Sequence, residues 1–146
     1  MMQSPALEQN PFLHDLGVRL NEIGDGRATL ELVLEARHMN SWQVSHGGIT
    51  MTLLDVAMAM AGRSLQADLA GLVTVEMKTT FLQPAGIVGG VLKASGHAYH
   101  QTPTMCFCEG ELWNGDKLVA KATGTFKYLH RLKSGGTAKN LCAVDE

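Results

Sequence analysis

The sequence predicts an α+β domain in which an antiparallel sheet of five to six strands wraps around one long central helix. Three observations carry that prediction. Segments of period-two alternation fill much of the chain, and short Gly-containing turns join them. One segment, from Ile49 to about Arg63–Gln66, is rich in Leu, Met and Ala and is apolar nearly all round. Strands on short connections favour antiparallel pairing. A helix that is apolar on most sides needs cover on most sides, and a curved sheet supplies it.

The elements follow in order. The chain has 146 residues, enough for a single domain over 1–146 with one core. Residues 1–15 read as an N-terminal arm or short helix. Ala28, Leu30, Leu32 and Leu34 alternate with Arg27, Thr29, Glu31 and Glu35, as a half-buried strand does. Gly24-Asp25-Gly26 is strong turn chemistry, so 17–23 and 27–35 are expected to form a hairpin. The pattern breaks from Ala36 to Ser45, which reads as a loop. Gly47-Gly48 then opens the helix, whose residues are good helix formers with no interior Gly before Gly62.

The period returns to two after Leu72. Val73, Val75, Met77, Thr79 and Phe81 alternate with Thr74, Glu76, Lys78 and Thr80 until Gln83-Pro84-Ala85-Gly86 ends the strand. A less regular run covers 87–99 and another about 103–114. Asn114-Gly115-Asp116 signals a hairpin turn into a last strand over 117–129. That strand carries Leu118, Ala120, Ala122, Gly124, Phe126 and Tyr128 on one face. The tail, 133–146, is Gly/Ser/Lys-rich and expected to fray.

Composition removes several function classes. At 45% hydrophobic and 18% charged the chain is an ordinary globular protein, not a disordered tail. Its formal net charge of -2 gives no overall electrostatic case for nucleic acid or an anionic membrane. The first residues lack a basic start followed by an apolar run, and no stretch approaches the roughly 18 apolar residues of a membrane span. A cytoplasmic location is the expectation. Cys106, Cys108 and Cys142 make an odd count without a disulfide framework, and no second Cys/His pair completes a zinc knuckle. Neither a metal nor another cofactor is expected.

The chemistry concentrates between Asn40 and Asp55. Asn40-Ser41-Trp42-Gln43-Val44-Ser45-His46-Gly47-Gly48 leads into the helix. Two glycines let a ligand approach the backbone. The first helix amides have no internal partner and sit at the positive end of the helix dipole. An amide at Gly47 or Gly48 can therefore hold a developing oxyanion. The plain alternative is a Gly-containing helix start with no ligand. Asp55 lies inside Leu53-Leu54-Asp55-Val56-Ala57-Met58, and Asp is a poor helix-interior residue. Buried there, it would be costly unless paired or raised in pKa, and a general base benefits from such a rise. The structural alternative is an Asp held by a backbone amide or by an Arg such as Arg63.

Spacing adds a constraint. Gly48 and Asp55 are seven residues apart, close to two turns, so they share a face about 10 Å apart. A base, its water and an amide-held carbonyl span only about 6–7 Å. One helix can hardly supply both ends. Two antiparallel helices across a two-fold axis can.

His46-Gly47-Gly48 followed by Asp55 resembles the signature of the hotdog-fold thioesterases of the phenylacetate-degradation type. The likeness runs from about Leu30 to Phe126. Asn40 lies where that family has an Asn six residues before the His, and Val73-Thr74-Val75-Glu76-Met77 resembles its strand after the helix, with Thr74 at a small-hydroxyl position. The resemblance implies an acyl-CoA thioesterase: Asp55 as general base, or as nucleophile, with the Gly47 amide polarising the thioester carbonyl. Asn40 would orient the water or thioester, Thr74 from the chain that gives Asp55 would help hold the water, and His46 would shape the loop or touch the thioester. It also implies a homodimer with shared active sites, paired into a dimer of dimers, and no metal.

For CoA, basic groups are needed near the phosphates. Lys93, Lys127 and Arg131 are candidates, with Thr104 in the stretch Thr102–Thr104 and Gly48 at the helix start. Each also reads as an ordinary exposed residue. Gln101-Thr102-Pro103 departs from the basic or Gly-containing turn common in the family. Met51, Met58, Met60, Met77 and Met105 are candidates for an adaptable acyl pocket or for plain core. Two rivals stand beside hydrolysis. One is a hotdog acyl-thioester dehydratase, which would need a His base. The other is a non-catalytic acyl-CoA binding module, which would have little use for Asp55.

Overall fold

The structure is a computed structural model, and it describes residues 9–131. The first part of the N-terminal arm and the tail 133–146 lie outside the described residues. Helix α1 (Pro11–Leu16) is capped by Asn10 and ends on Gly17 in the left-handed region. It leads into β1 (Arg19–Gly24) and β2 (Arg27–Val33), the expected hairpin. Asp25 and Gly26, at φ 52° and 76°, form the two-residue turn, the type I′ pattern that matches strand twist.

A 3-10 turn over Ala36–His38 interrupts the expected loop. It is held by His38, a residue the sequence pattern does not mark. His38 is buried, accepts the Glu35 amide on Nδ1 at 2.9 Å and places Nε2 2.8 Å from the Leu16 carbonyl. Helix α2 follows over Gly47–Arg63. Four more strands complete the fold: β3 (Leu69–Phe81), β4 (Val91–Gln101), β5 (Met105–Asn114) and β6 (Lys117–His130). Strand β3 starts three residues before the alternation becomes visible, and β4 starts four residues later than the run at 87 suggests.

All six strands form one antiparallel sheet in the order β1-β2-β4-β5-β6-β3, with α2 packed across it. A row of small residues makes that packing possible. Ala28, Gly96, Gly110 and Ala122 pair in register across β2, β4, β5 and β6. A β-carbon at Gly96 would collide with the backbone of Ala57, so the helix rests directly on the sheet there. Ala120, Ala122, Gly124, Phe126 and Tyr128 of β6 are buried against the helix as expected, but Leu118 is not on that face: a register shift after Leu112 pairs Leu118 with Trp113, and Val119 is buried in its place. Cys106 and Cys108 share one face of β5, with sulfurs 3.9 Å apart in the core. The hydrogen bond with Cys106, together with burial, pushes the Cys108 thiol well up.

Two expectations change. First, α2 is not covered all round. Ile49, Thr50, Leu53, Leu54, Ala57, Met58, Ala61 and Gly62 are buried, whereas Met51, Thr52, Asp55, Val56, Ala59 and Met60 form a half-buried strip. The helix is apolar on both sides, but the sheet covers only one. Asp55 is therefore half-buried rather than sealed in the core.

Second, β3 does not alternate strictly. Its register against β6 slips between Thr74 and Glu76, a β-bulge. Thr74 pairs with Phe126 and Phe81 with Ala120, both fully buried helix-side residues. Thr74 and Phe81, seven residues apart, would face opposite ways in a regular strand. The bulge turns both toward the helix side and leaves Val73 on the outer face opposite Lys127.

Candidate active site

Strand β3 runs along the half-buried strip of α2. At its middle the Thr74 hydroxyl donates to Asp55 Oδ1 at 2.7 Å. This is the partner Asp55 has; no ion pair with Arg63 occurs among the described residues. The carboxylate keeps Oδ2 for other contacts. At the end of the strand Phe81 reaches the helix start, where a β-carbon on Gly47 would lie 3.5 Å from Phe81 Cε1.

The helix start is built by His46. Its Nδ1 accepts the Gly48 amide at 2.8 Å, making it the N-cap. The ring folds so closely over Gly48 that a β-carbon there would sit 3.1 Å from Nδ1. A neutral His46 accepting on Nδ1 carries its proton on Nε2. The His46 amide donates to the His38 carbonyl at 2.8 Å, which ties the cap to the buried histidine. The Gly48 amide is thus occupied. The Gly47 amide has no partner among the described residues and lies at the positive end of the helix. Of the two amides offered by the sequence, Gly47 is the one left unengaged.

Asn40 supports the same loop. Its Oδ1 accepts the amides of Trp42 at 2.9 Å and Val44 at 3.3 Å, while its own amide donates to the Val44 carbonyl. Only the side-chain NH2 of Asn40 remains as a donor. Gly47 and Asp55, eight residues apart on α2, are separated by about 12 Å along the axis.

The CoA candidates do not gather around these groups. Thr104 lies exposed in the β4–β5 turn, where its carbonyl accepts the Tyr128 amide. Lys127 is exposed on the outer face of β6, between Val73 and Met105. Lys93 is exposed on β4 between Glu31 and Trp113. Arg131 lines a cavity of about 300 Å³ with Arg63, Ser64 and Asp68 at the far end of α2. A larger trough of about 670 Å³ lies on the outer face of the sheet, among Arg27, Lys78, His97, Glu109 and Lys121. Neither cavity is lined by Asp55 or Gly47. Of the methionines, Met58 is core, Met60 and Met77 pack against it, and Met51 lies on the half-buried strip. Among the described residues, no group of three His, Cys, Asp or Glu side chains is placed to hold a metal. No helix among them is long and apolar enough to cross a membrane.

Comparison with known proteins points one way. Residues 43–121 match the family model described as the thioesterase superfamily. A Caenorhabditis elegans protein named as an esterase is 34% identical over 110 residues, covering 74% of this chain and 64% of that protein. The chain thus spans just under two thirds of that relative's length. Human acyl-coenzyme A thioesterase 13 is 31% identical over 110 residues, covering 74% of this chain and 77% of the enzyme. Among solved structures, the E. coli PaaI protein from the phenylacetic acid degradation operon superposes with a TM-score of 0.77. It is 28% identical, with 84% of this chain and 86% of that chain covered.

Proposed function

The chain belongs to the thioesterase superfamily and has its hotdog fold, and from that premise we propose that it hydrolyses an acyl-CoA to the free acid and CoA at active sites shared across a homodimer. The observation that carries this reading is the pairing of Asp55 with Thr74 on the half-buried strip of α2, with an unengaged Gly47 amide on the same helix. Acyl-CoA as the substrate class is carried over from the thioesterase relatives.

The chemistry then follows. The Thr74 hydroxyl fixes Oδ1 of Asp55 and leaves Oδ2 to take a proton from water as the water oxygen attacks the thioester carbon. The charge that develops on the carbonyl oxygen is met by the partner's Gly47 amide at its helix N-terminus. Collapse of the tetrahedral intermediate breaks the C–S bond, and the CoA thiolate recovers the proton from Asp55. The NH2 of Asn40 is the donor available to orient water or thioester beside Gly47. His46 acts as the cap that directs the free amide. Its Nδ1 is occupied by Gly48, which argues against the dehydratase reading, since that reading needs a His base.

The dimer is supported by two observations. About 12 Å on one helix is too far for both ends of one thioester site. Strand β3 is a sheet edge of 13 residues, with Val73 43% and Val75 58% exposed, and long apolar edges seek a partner. Pairing into a dimer of dimers is part of the proposal, as is a cytoplasmic location, which suits the free thiols of Cys106 and Cys108.

Thiol release across a panel of acyl-CoAs, with Asp55→Asn beside wild type, tests the reading. The proposal expects hydrolysis by wild type and a loss of at least about 10²-fold in the variant. No hydrolysis of any thioester would favour the binding module, and equal activity in Asp55→Asn would remove the assigned base.

A further inference from the structure

We propose that Phe81 is a positioning residue that walls the Gly47 amide and keeps it dry for the developing oxyanion. The inference rests on the thioesterase reading above and extends it to a residue outside the signature. Gly47 is the helix-start amide that remains unengaged, and Phe81 is the side chain a β-carbon on Gly47 would touch. The β3 bulge is what turns Phe81 this way, because it sets the ring on the helix side opposite Ala120.

The ring is not consumed by the core. Phe81 is 53% exposed although it lies against the helix start. The chain continues from it through the exposed Leu82 and the buried Ala85 to the exposed Ile87, in a segment tied to the loop before Gly47 by the Ser45 amide donating to the Gly86 carbonyl at 2.8 Å. The Phe81 ring thus sets an apolar group beside Gly47. A hydrogen bond to a charged oxygen gains strength as water is excluded, because the local dielectric falls. An aromatic edge beside the donor provides that exclusion without competing for the hydrogen bond. The effect exists mainly in the transition state, where the charge develops, so it belongs to kcat rather than to substrate binding.

The test uses the full chain with Phe81→Ala and Phe81→Leu beside wild type, and two readouts. Steady-state hydrolysis of an acyl-CoA gives kcat and KM. Exchange of the Gly47 amide with water, measured by NMR, reports the wall without reference to activity. The expected result for Phe81→Ala is a kcat lower by about 10-fold with KM changed by less than about 3-fold. Gly47 exchange should be several-fold faster while the turn amide of Gly115 is unchanged. Phe81→Leu, which restores apolar cover, should recover most of both. An unchanged Gly47 exchange rate in Phe81→Ala would overturn the proposal, as would a change confined to KM. If wild type hydrolyses no thioester, the thioesterase reading falls, and the exchange rates alone still decide whether Phe81 shields Gly47.

Discussion

The Thr74 hydroxyl donates to Asp55 at 2.7 Å from a strand position that strict alternation would turn away from the helix. The bulge between Thr74 and Glu76 makes the contact possible, and it also sends Phe81 to Gly47. One irregularity in β3 thus sets both the contact with Asp55 in the half-buried strip and the approach of Phe81 to the helix start.

Thr74→Val keeps the shape of the side chain and removes the donor. A hydrogen bond to a charged group contributes about 1.5–3 kcal/mol, equivalent to roughly 10- to 100-fold in rate if it acts fully in the transition state. The expected outcome is a kcat lowered by at least about 10-fold, with Thr74→Ser close to wild type, in steady-state hydrolysis. Loss of stability with unchanged kcat would assign Thr74 a purely structural role.

His46→Ala leaves the Gly48 amide without its acceptor. Loss of an N-cap costs about 0.5–2 kcal/mol, which a urea unfolding midpoint reads directly. Asn at position 46 is a good cap by itself. If His46 acts as the cap alone, His46→Asn recovers both stability and activity. Recovered stability without activity would show that the imidazole does more than cap.

Close approach of helix and sheet makes two glycines intolerant. A methyl group at Gly62 would collide with the Cys106 sulfur, and overpacking of this kind costs about 1–3 kcal/mol. Gly62→Ala should be destabilised by that amount, and less so when combined with Cys106→Ala, a coupling that a double-mutant cycle measures. Gly96→Ala has no such remedy, because its neighbour is the Ala57 backbone, so it should be the more damaging change.

Much of the fold is legible locally. Gly24-Asp25-Gly26, Asn114-Gly115-Asp116, the apolar run after Gly47-Gly48 and the alternation of β2 and β6 each specify an element from neighbouring residues. Asp55 stands out because a carboxylate is anomalous in that run. The bulge is not legible: Val73 to Phe81 reads as unbroken alternation, and the slip exists only in the register with β6. For the same reason periodicity does not show the bond from Thr74 to Asp55; the family resemblance singles out Thr74, but as a residue that helps hold the water and not as the partner of the carboxylate. The approach of Phe81 to Gly47 joins residues far apart in sequence, and nothing near either one announces it. Asp55 is less buried than an apolar helix suggests because the sheet covers only one side of α2.

The central claim is that Gly47 and Asp55 of different chains make one site. Gly47→Pro removes the amide at the first helical position, where proline is tolerated and the extended His46 backbone accommodates it. Asp55→Asn removes the base. Each homodimer should be nearly inactive. Co-refolding the two variants in equal amounts gives about half heterodimers, each with one intact site if the sites are shared, so activity should return to about a quarter of wild type. A mixture no more active than either variant alone would place both groups in one chain's own site and contradict the account.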